Sequence, residues 1–190
     1  MGGPYIAEDF EYIELRNIGP VPLDLAGIRF TSGVQFDFTH SAVTRLDPGQ
    51  RVLVVKSLGA FASRYGSFPA GAIAGEYLGN LDNSGETVRL EDAVGEVILE
   101  FRYDNQWWPL TDGFGFSLTV ADEAADWRAW DGPDLWRASA APSGSPGTGD
   151  VQPSPPAPVF INEIFTASTP PDVDAVEIYN PNPEVANLSG

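Results

Sequence analysis

Thr87-Val88-Arg89-Leu90-Glu91, Asp92-Ala93-Val94-Gly95 and Glu96-Val97-Ile98-Leu99-Glu100-Phe101-Arg102-Tyr103 are three consecutive pieces whose reading decides the fold. In the last piece Val97, Leu99, Phe101 and Tyr103 alternate with Glu96, Glu100 and Arg102, the two-residue period of a strand with one core face and one wet face. The first piece alternates in the same way, and the four residues between them are turn formers. The whole stretch therefore reads as an antiparallel hairpin.

Working outward, strands are expected at Tyr12 to Arg16, Gly27 to Thr31, Val34 to Phe38, Arg51 to Lys56 and Gly115 to Val120, each bounded by turn residues such as Ile18-Gly19-Pro20 and Asp47-Pro48-Gly49. Gly 20 and Pro 17 make about a fifth of the chain and punctuate these runs. Strands of this spacing suit an all-β sandwich. One helix is expected over Ser57 to Tyr65, with Ser57 as N-cap and Leu58, Phe61 and Tyr65 on one face, plugging an open end of that sandwich.

The 190 residues hold 27 Asp+Glu against 10 Lys+Arg, no Cys and one His, for a net charge of −17. Thiolate zinc sites, Cys-ligated clusters, cysteine nucleophiles and multi-histidine metal centres lack raw material here. An acidic surface repels phosphate backbones, so nucleic acid is a poor partner. No apolar run approaches the roughly 18 residues that cross a bilayer, and the N-terminus is neither basic nor apolar enough for a signal peptide.

Ala141 to Pro158 is rich in Pro, Gly and Ser and contains no large apolar residue except Val151. It reads as a semi-rigid spacer. The resulting division is a sandwich at 1–142, a linker at 143–158 and a further apolar segment at 159–190. Shifted by 163 positions, Glu14, Asn17, Pro20, Leu25 and Gly27 match Glu177, Asn180, Pro183, Leu188 and Gly190, while Ile13, Leu15 and Asp24 meet Val176, Ile178 and Asn187. A strand and a Gly-terminated turn recur in both places, as in a tandem repeat. The second copy opens with a β-rich run at residues 160–165 that has no counterpart in the first. That run is expected to fill a vacant sheet edge of the first-type domain, either in its own chain or in a neighbouring one as a strand-swapped homodimer.

Ile161-Asn162-Glu163-Ile164, Val176-Glu177-Ile178-Tyr179-Asn180 and Asn187-Leu188-Ser189-Gly190 resemble the opening of the lamin tail domain. The first copy supplies further parts of the same pattern in Ile13-Glu14-Leu15-Arg16-Asn17, Asp24-Leu25-Ala26-Gly27, Leu46-Asp47-Pro48-Gly49, Leu81 to Glu86, Trp108-Pro109, Gly115-Phe116-Ser117-Leu118 and Pro146-Gly147. Ala26 and Ile28 depart from it, standing where the family has Ser and an aromatic residue. The resemblance implies an immunoglobulin-like β-sandwich, with one nearly complete copy lacking its first strand and the N-terminal portion of a second. It also implies an extracellular or cell-surface setting in a larger bacterial protein and no catalytic residues. The family's nuclear chromatin contacts do not transfer to a chain this acidic.

The residues themselves offer two binding readings. Asp82, Asn83 and Glu86 place hard oxygen donors in one turn-rich loop, the chemistry Ca²⁺ takes, with ordinary turn formation as the competing and preferred account. Trp107, Trp127 and Trp130 lie in loop-like stretches where indoles stack on sugars or anchor a protein, against the plainer account that Trp108 and Trp127 are core. No Gly-x-Ser-x-Gly elbow accompanies His40, which reads as a solvated loop residue. The expected function is a non-catalytic structural or interaction module, with carbohydrate binding or Ca²⁺-dependent adhesion as the alternative and an accessory domain of an extracellular hydrolase as the second. No cofactor and no membrane insertion are expected, and the protein or polysaccharide partner is left open.

Overall fold

The computed structural model describes residues 4–151, 159–166, 173–183 and 185–186, and divides into two units, Met1–Asp150 and Val151–Gly190. In the first unit the strands are β1 (Tyr12–Arg16), β2 (Leu23–Asp24), β3 (Arg29–Ser32), β4 (Val34–Asp37), β5 (Arg45–Leu46), β6 (Arg51–Val55), β7 (Ile73–Glu76), β8 (Leu78–Gly79), β9 (Thr87–Glu91), β10 (Val97–Arg102), β11 (Leu118–Val120) and β12 (Trp136–Ala138). A single α-helix, α1 (Leu58–Tyr65), lies between β6 and β7, and short 3₁₀ turns fill several connections. The second unit holds β13 (Phe160–Phe165) and β14 (Ala175–Tyr179). Over the described residues the protein is all-β with one short helix.

The expected hairpin is β9 with β10, and it forms one end of a five-stranded sheet in the order β10-β9-β3-β4-β8. A register shift between Val97 and Leu99 alters the simple alternation: Leu99, Phe101 and Tyr103 pack on the core, but Val97 stays 38% exposed. The extra residue of such a bulge turns the strand start out of phase with the rest.

A second sheet, β1-β6-β7, shares one hydrophobic cluster with the first. Phe30, Val34, Val88 and Leu90 come from the five-stranded sheet, and Val52, Val54 and Ala74 from the three-stranded one. Strand β6 is apolar at four successive positions because it is buried on both faces. Val52 and Val54 enter this cluster, while Leu53 and Val55 enter another with Phe61, Tyr65, Phe68 and Ile73. Such near-continuous apolar strands arise where a helix covers the far face of a sheet.

That helix is α1. Ser57 Oγ accepts the Ala60 N–H at 3.3 Å, the Glu76 carboxylate accepts the Leu58 N–H at 2.6 Å, and Gly66 at φ +77° ends it. It connects β6 to the parallel strand β7, the crossover arrangement parallel pairing requires. The helix thus lies over the outer face of the three-stranded sheet and does not plug an end. Leu58, expected on its packing face, is 45% exposed.

Residues 143–150, read from composition as linker, belong to the first unit. The Ser143 carbonyl accepts from the Tyr65 hydroxyl at 2.6 Å, and the Gly147 N–H donates to Glu14 on β1. Arg137 grips both the Asp150 carboxylate and its carbonyl. Pro, Gly and Ser are spacer composition only where their backbone groups find no partner.

In the second unit β13 and β14 pair antiparallel, with Ile161 opposite Ile178 and Ile164 opposite Val176. Those four side chains share one face; Phe160, Glu163, Phe165, Glu177 and Tyr179 share the other. Every residue of both strands is exposed.

Candidate functional site

The 3₁₀ turn Phe38–His40 leaves His40 exposed. The expected cation loop is a hydrogen-bonded turn. Asp82 Oδ1 accepts the N–H and hydroxyl of Ser84, both at 2.7 Å, and these bonds hold its pKa below the ordinary carboxylate range. Glu86 Oε1 accepts the Asp82 N–H at 2.7 Å and faces the Tyr103 hydroxyl at 3.3 Å. Gly85 closes the loop at φ +103°, where a Cβ would lie 2.4 Å from the Tyr103 carbonyl oxygen. Asn83 is exposed. Among the described residues no group of three or more His, Cys, Asp or Glu converges as a metal cage. One oxygen of each of these two carboxylates, Asp82 Oδ1 and Glu86 Oε1, takes part in closing the turn.

Behind this loop lies a carboxylate and phenol network that sequence spacing gave no sign of. Tyr77 is buried and donates to Glu11 Oε2 at 2.9 Å, and the same oxygen accepts the Leu81 N–H at 2.9 Å. Burial first, then the neighbouring carboxylates, push the Tyr77 and Tyr103 hydroxyls far above the usual phenol range. Both remain neutral donors that fasten the loop.

The indoles form an aromatic cluster. Trp136, on β12, is the buried one, and its ring meets Phe101 at 4.9 Å, Trp130 at 5.6 Å and Trp107 at 6.3 Å between centroids. Trp136 Nε1 donates to the Trp130 carbonyl at 2.8 Å. Trp130 stands edge-on to Phe101 and Trp136, its own Nε1 buried with no hydrogen-bond acceptor among the described residues. Edge-on packing of this kind places the positive ring rim against a neighbour's π face. Trp107 and Trp130 thus pack against this cluster while each stays half-buried. Trp127 lies apart from these contacts with the Arg128 guanidinium 4.6 Å above its ring, and Trp108, expected in the core, is 37% exposed.

What the sequence did not indicate is a cleft of about 600 Å³ in the first unit, lined by Arg16, Asn17, Arg51, Glu123, Arg137 and Asp150. Three of the chain's nine arginines meet here from positions far apart in sequence. Each carries a carboxylate. Glu123 bridges Arg16 and Arg51, Arg51 Nε also reaches Glu14 Oε1 at 3.0 Å, and Arg137 holds Asp150. Burial pushes the Glu14 carboxyl up, against the opposing effect of the Gly147 N–H and Arg51. Burial also works to raise Asp150, but hydrogen bonds from Arg137, Ser145 and Ala140 outweigh it and leave that pKa below the ordinary range. The paired guanidinium and carboxylate groups tie residues 118–150 to β1 and β6. Glu14, at the middle of β1, is part of that tie.

No described helix is long and apolar enough to cross a membrane. Comparison with protein-family models, curated proteins and solved structures found no match.

Proposed function

We propose that this chain is a non-catalytic structural or interaction module of a larger bacterial surface or secreted protein, built on an immunoglobulin-like, lamin-tail-like sandwich with a second, partial repeat behind it. The observation that carries the reading is how the polar groups are used. The Asp82 loop, the Glu11 and Tyr77 network and the arginine cleft each spend their charges on holding chain to chain within the fold. An active site leaves a nucleophile or base within reach of a substrate, and those clusters keep theirs engaged. Two sheets sharing one core support the sandwich.

Two features speak to the repeat. β14 lies 163 positions beyond β1, residue for residue. The turn after it is also shared: Asn17 Oδ1 accepts the Gly19 N–H at 2.9 Å and Asn180 Oδ1 accepts the Asn182 N–H at 3.0 Å.

The test is direct. Purified chain is assayed with chromogenic ester, phosphoester and glycoside substrates, and its thermal unfolding is followed with and without Ca²⁺ and with soluble polysaccharides. A module of this kind hydrolyses none of them, and its Tm stays within a degree throughout. Turnover would restore the hydrolase reading, and a Ca²⁺ or polysaccharide shift the adhesion reading.

A further inference from the structure

The first unit ends on a clasp. Asp150 is the last residue assigned to it, and the next one, Val151, is 81% exposed. Arg137 on β12 grips Asp150 twice, with Nη1 on the carboxylate and Nη2 donating to the carbonyl at 2.9 Å. The same carboxylate accepts the Ala140 N–H at 3.1 Å and the Ser145 hydroxyl at 2.9 Å. Residues 140–149 therefore form a loop whose two ends are fastened to each other. They include no large apolar side chain, and none of them belongs to either hydrophobic cluster. Polar contacts hold the loop down instead: the Tyr65 hydroxyl donates to the Ser143 carbonyl, the Ser143 N–H to the Gly115 carbonyl and the Gly147 N–H to Glu14. Ser143 sits at φ +73°, the left-handed region that L side chains rarely adopt, and it is the only non-glycine with positive φ among the described residues. Lifting the loop takes no side chain out of the core and relaxes Ser143.

We propose that residues 140–149 are stored length: the Arg137–Asp150 clasp opens before the sheets do, the loop lifts, and the exit of the first unit lengthens while its sandwich stays folded. The proposal rests on the structural-module reading above, in which the first unit stands in series with further chain and its exit carries load. Tension arriving through Val151 reaches Asp150 and passes through the two bonds to Arg137 on β12, so it bypasses the loop until the pair parts. Opening is local because hydrogen bonds and one ion pair hold the loop, whereas buried apolar surface holds the two sheets. It is also reversible, because Arg137 stays on β12 and β11 keeps that strand in place.

The chain has no cysteine, so thiol handles at Thr31→Cys, exposed on β3, and Val151→Cys let the full chain be stretched through the first unit alone. An optical-trap ramp is expected to show a reversible step of roughly 30–40 Å, the extended reach of the freed loop, ahead of the main unfolding event. Asp150→Asn removes the charge but keeps the shape and the carbonyl bond, and should move that step to lower force. Arg137→Gln should abolish it, with the folded baseline longer by the same amount and the main event unchanged in length. In the unstretched full chain the amides of Ala140, Ser143 and Gly147 should exchange together and faster than those of β6. No step ahead of the main event overturns the proposal, as does a step that neither substitution shifts. Amides as slow as those of β6 overturn it as well, because the loop then opens only with the whole fold. If Arg137→Gln fails to fold, Asp150→Asn decides, and an unchanged opening force there is fatal. None of these results touches the non-catalytic reading, which falls only to turnover or a ligand shift.

Discussion

Asn17 is 1% exposed, and it is tolerated there because its amide is fully engaged. Nδ2 donates to the carbonyls of Val21 and Leu46 at 2.8 and 2.9 Å, while Oδ1 takes the Gly19 N–H. Asn17→Ala leaves one buried and two part-buried backbone groups without this partner, so denaturant unfolding should show a loss of about 1–3 kcal/mol. Glu14 and Asp150 make opposite predictions against pH. Asp150 has a depressed pKa, so its contribution is present above the unfolded value near about 4 and is lost as pH falls through the folded value. The Tm advantage of the native chain over Asp150→Asn should shrink between pH 6 and 3 (assay range, about the carboxylate region). Glu14 has a raised pKa, so whatever stability its shift contributes is present at acid pH and is lost as pH rises through the folded value. Relative to Glu14→Gln, the native chain should gain Tm over the same descent. Both substitutions moving the same way would mean that the arginine cleft does not set these groups. Asn17 was visible in sequence as a repeated position, but its role was not, because the carbonyl of Leu46 reaches it only after folding.

At the scale of elements, alternation located β1, β9 and β10 within a residue or so, since each is long enough for its two faces to show, while β6 was marked by its β-branched run between turn residues. Strand β7, Ile73–Glu76, was missed: Ile-Ala-Gly-Glu has no alternation, and its pairing depends on the parallel contact with β6 that α1 makes possible. Helix periodicity likewise found α1 but misjudged what it covers. Phe61 is 1% exposed among Leu53, Val55 and Tyr12, with ring contacts to Tyr12, Tyr65 and Phe68, whereas Leu58 faces solvent. Phe61→Ala should therefore cost about 3–5 kcal/mol by urea unfolding. Leu58→Ala should stay within about 0.5 kcal/mol. Equal losses at the two positions would restore the face that sequence spacing assigned to the helix.

At the scale of the whole chain, composition placed a boundary at residue 142 and the fold places one at 150. The difference is physical. A segment without large apolar residues contributes little by burial, so sequence reasoning has nothing to weigh in it, yet hydrogen bonds to buried charges can still fix it. The aromatic cluster escaped for a related reason, because Phe101, Trp107, Trp130 and Trp136 are brought together by the path of the chain and share no period. Residues 143–150 provide Arg137 with its only carboxylate among the described residues, and give Glu14 and Tyr65 backbone partners. Arg137 has a side chain 12% exposed, and losing one member of a buried ion pair strands the other, at about 3–5 kcal/mol. A chain ending after Asp150 should thus melt at the temperature of the first unit in the full chain. One ending after Pro142 should melt at least about 10 °C lower, since each kcal/mol shifts the Tm of a domain this size by about 2–4 °C or more. Calorimetry on the two chains decides it: coincident transitions would return residues 143–150 to the linker.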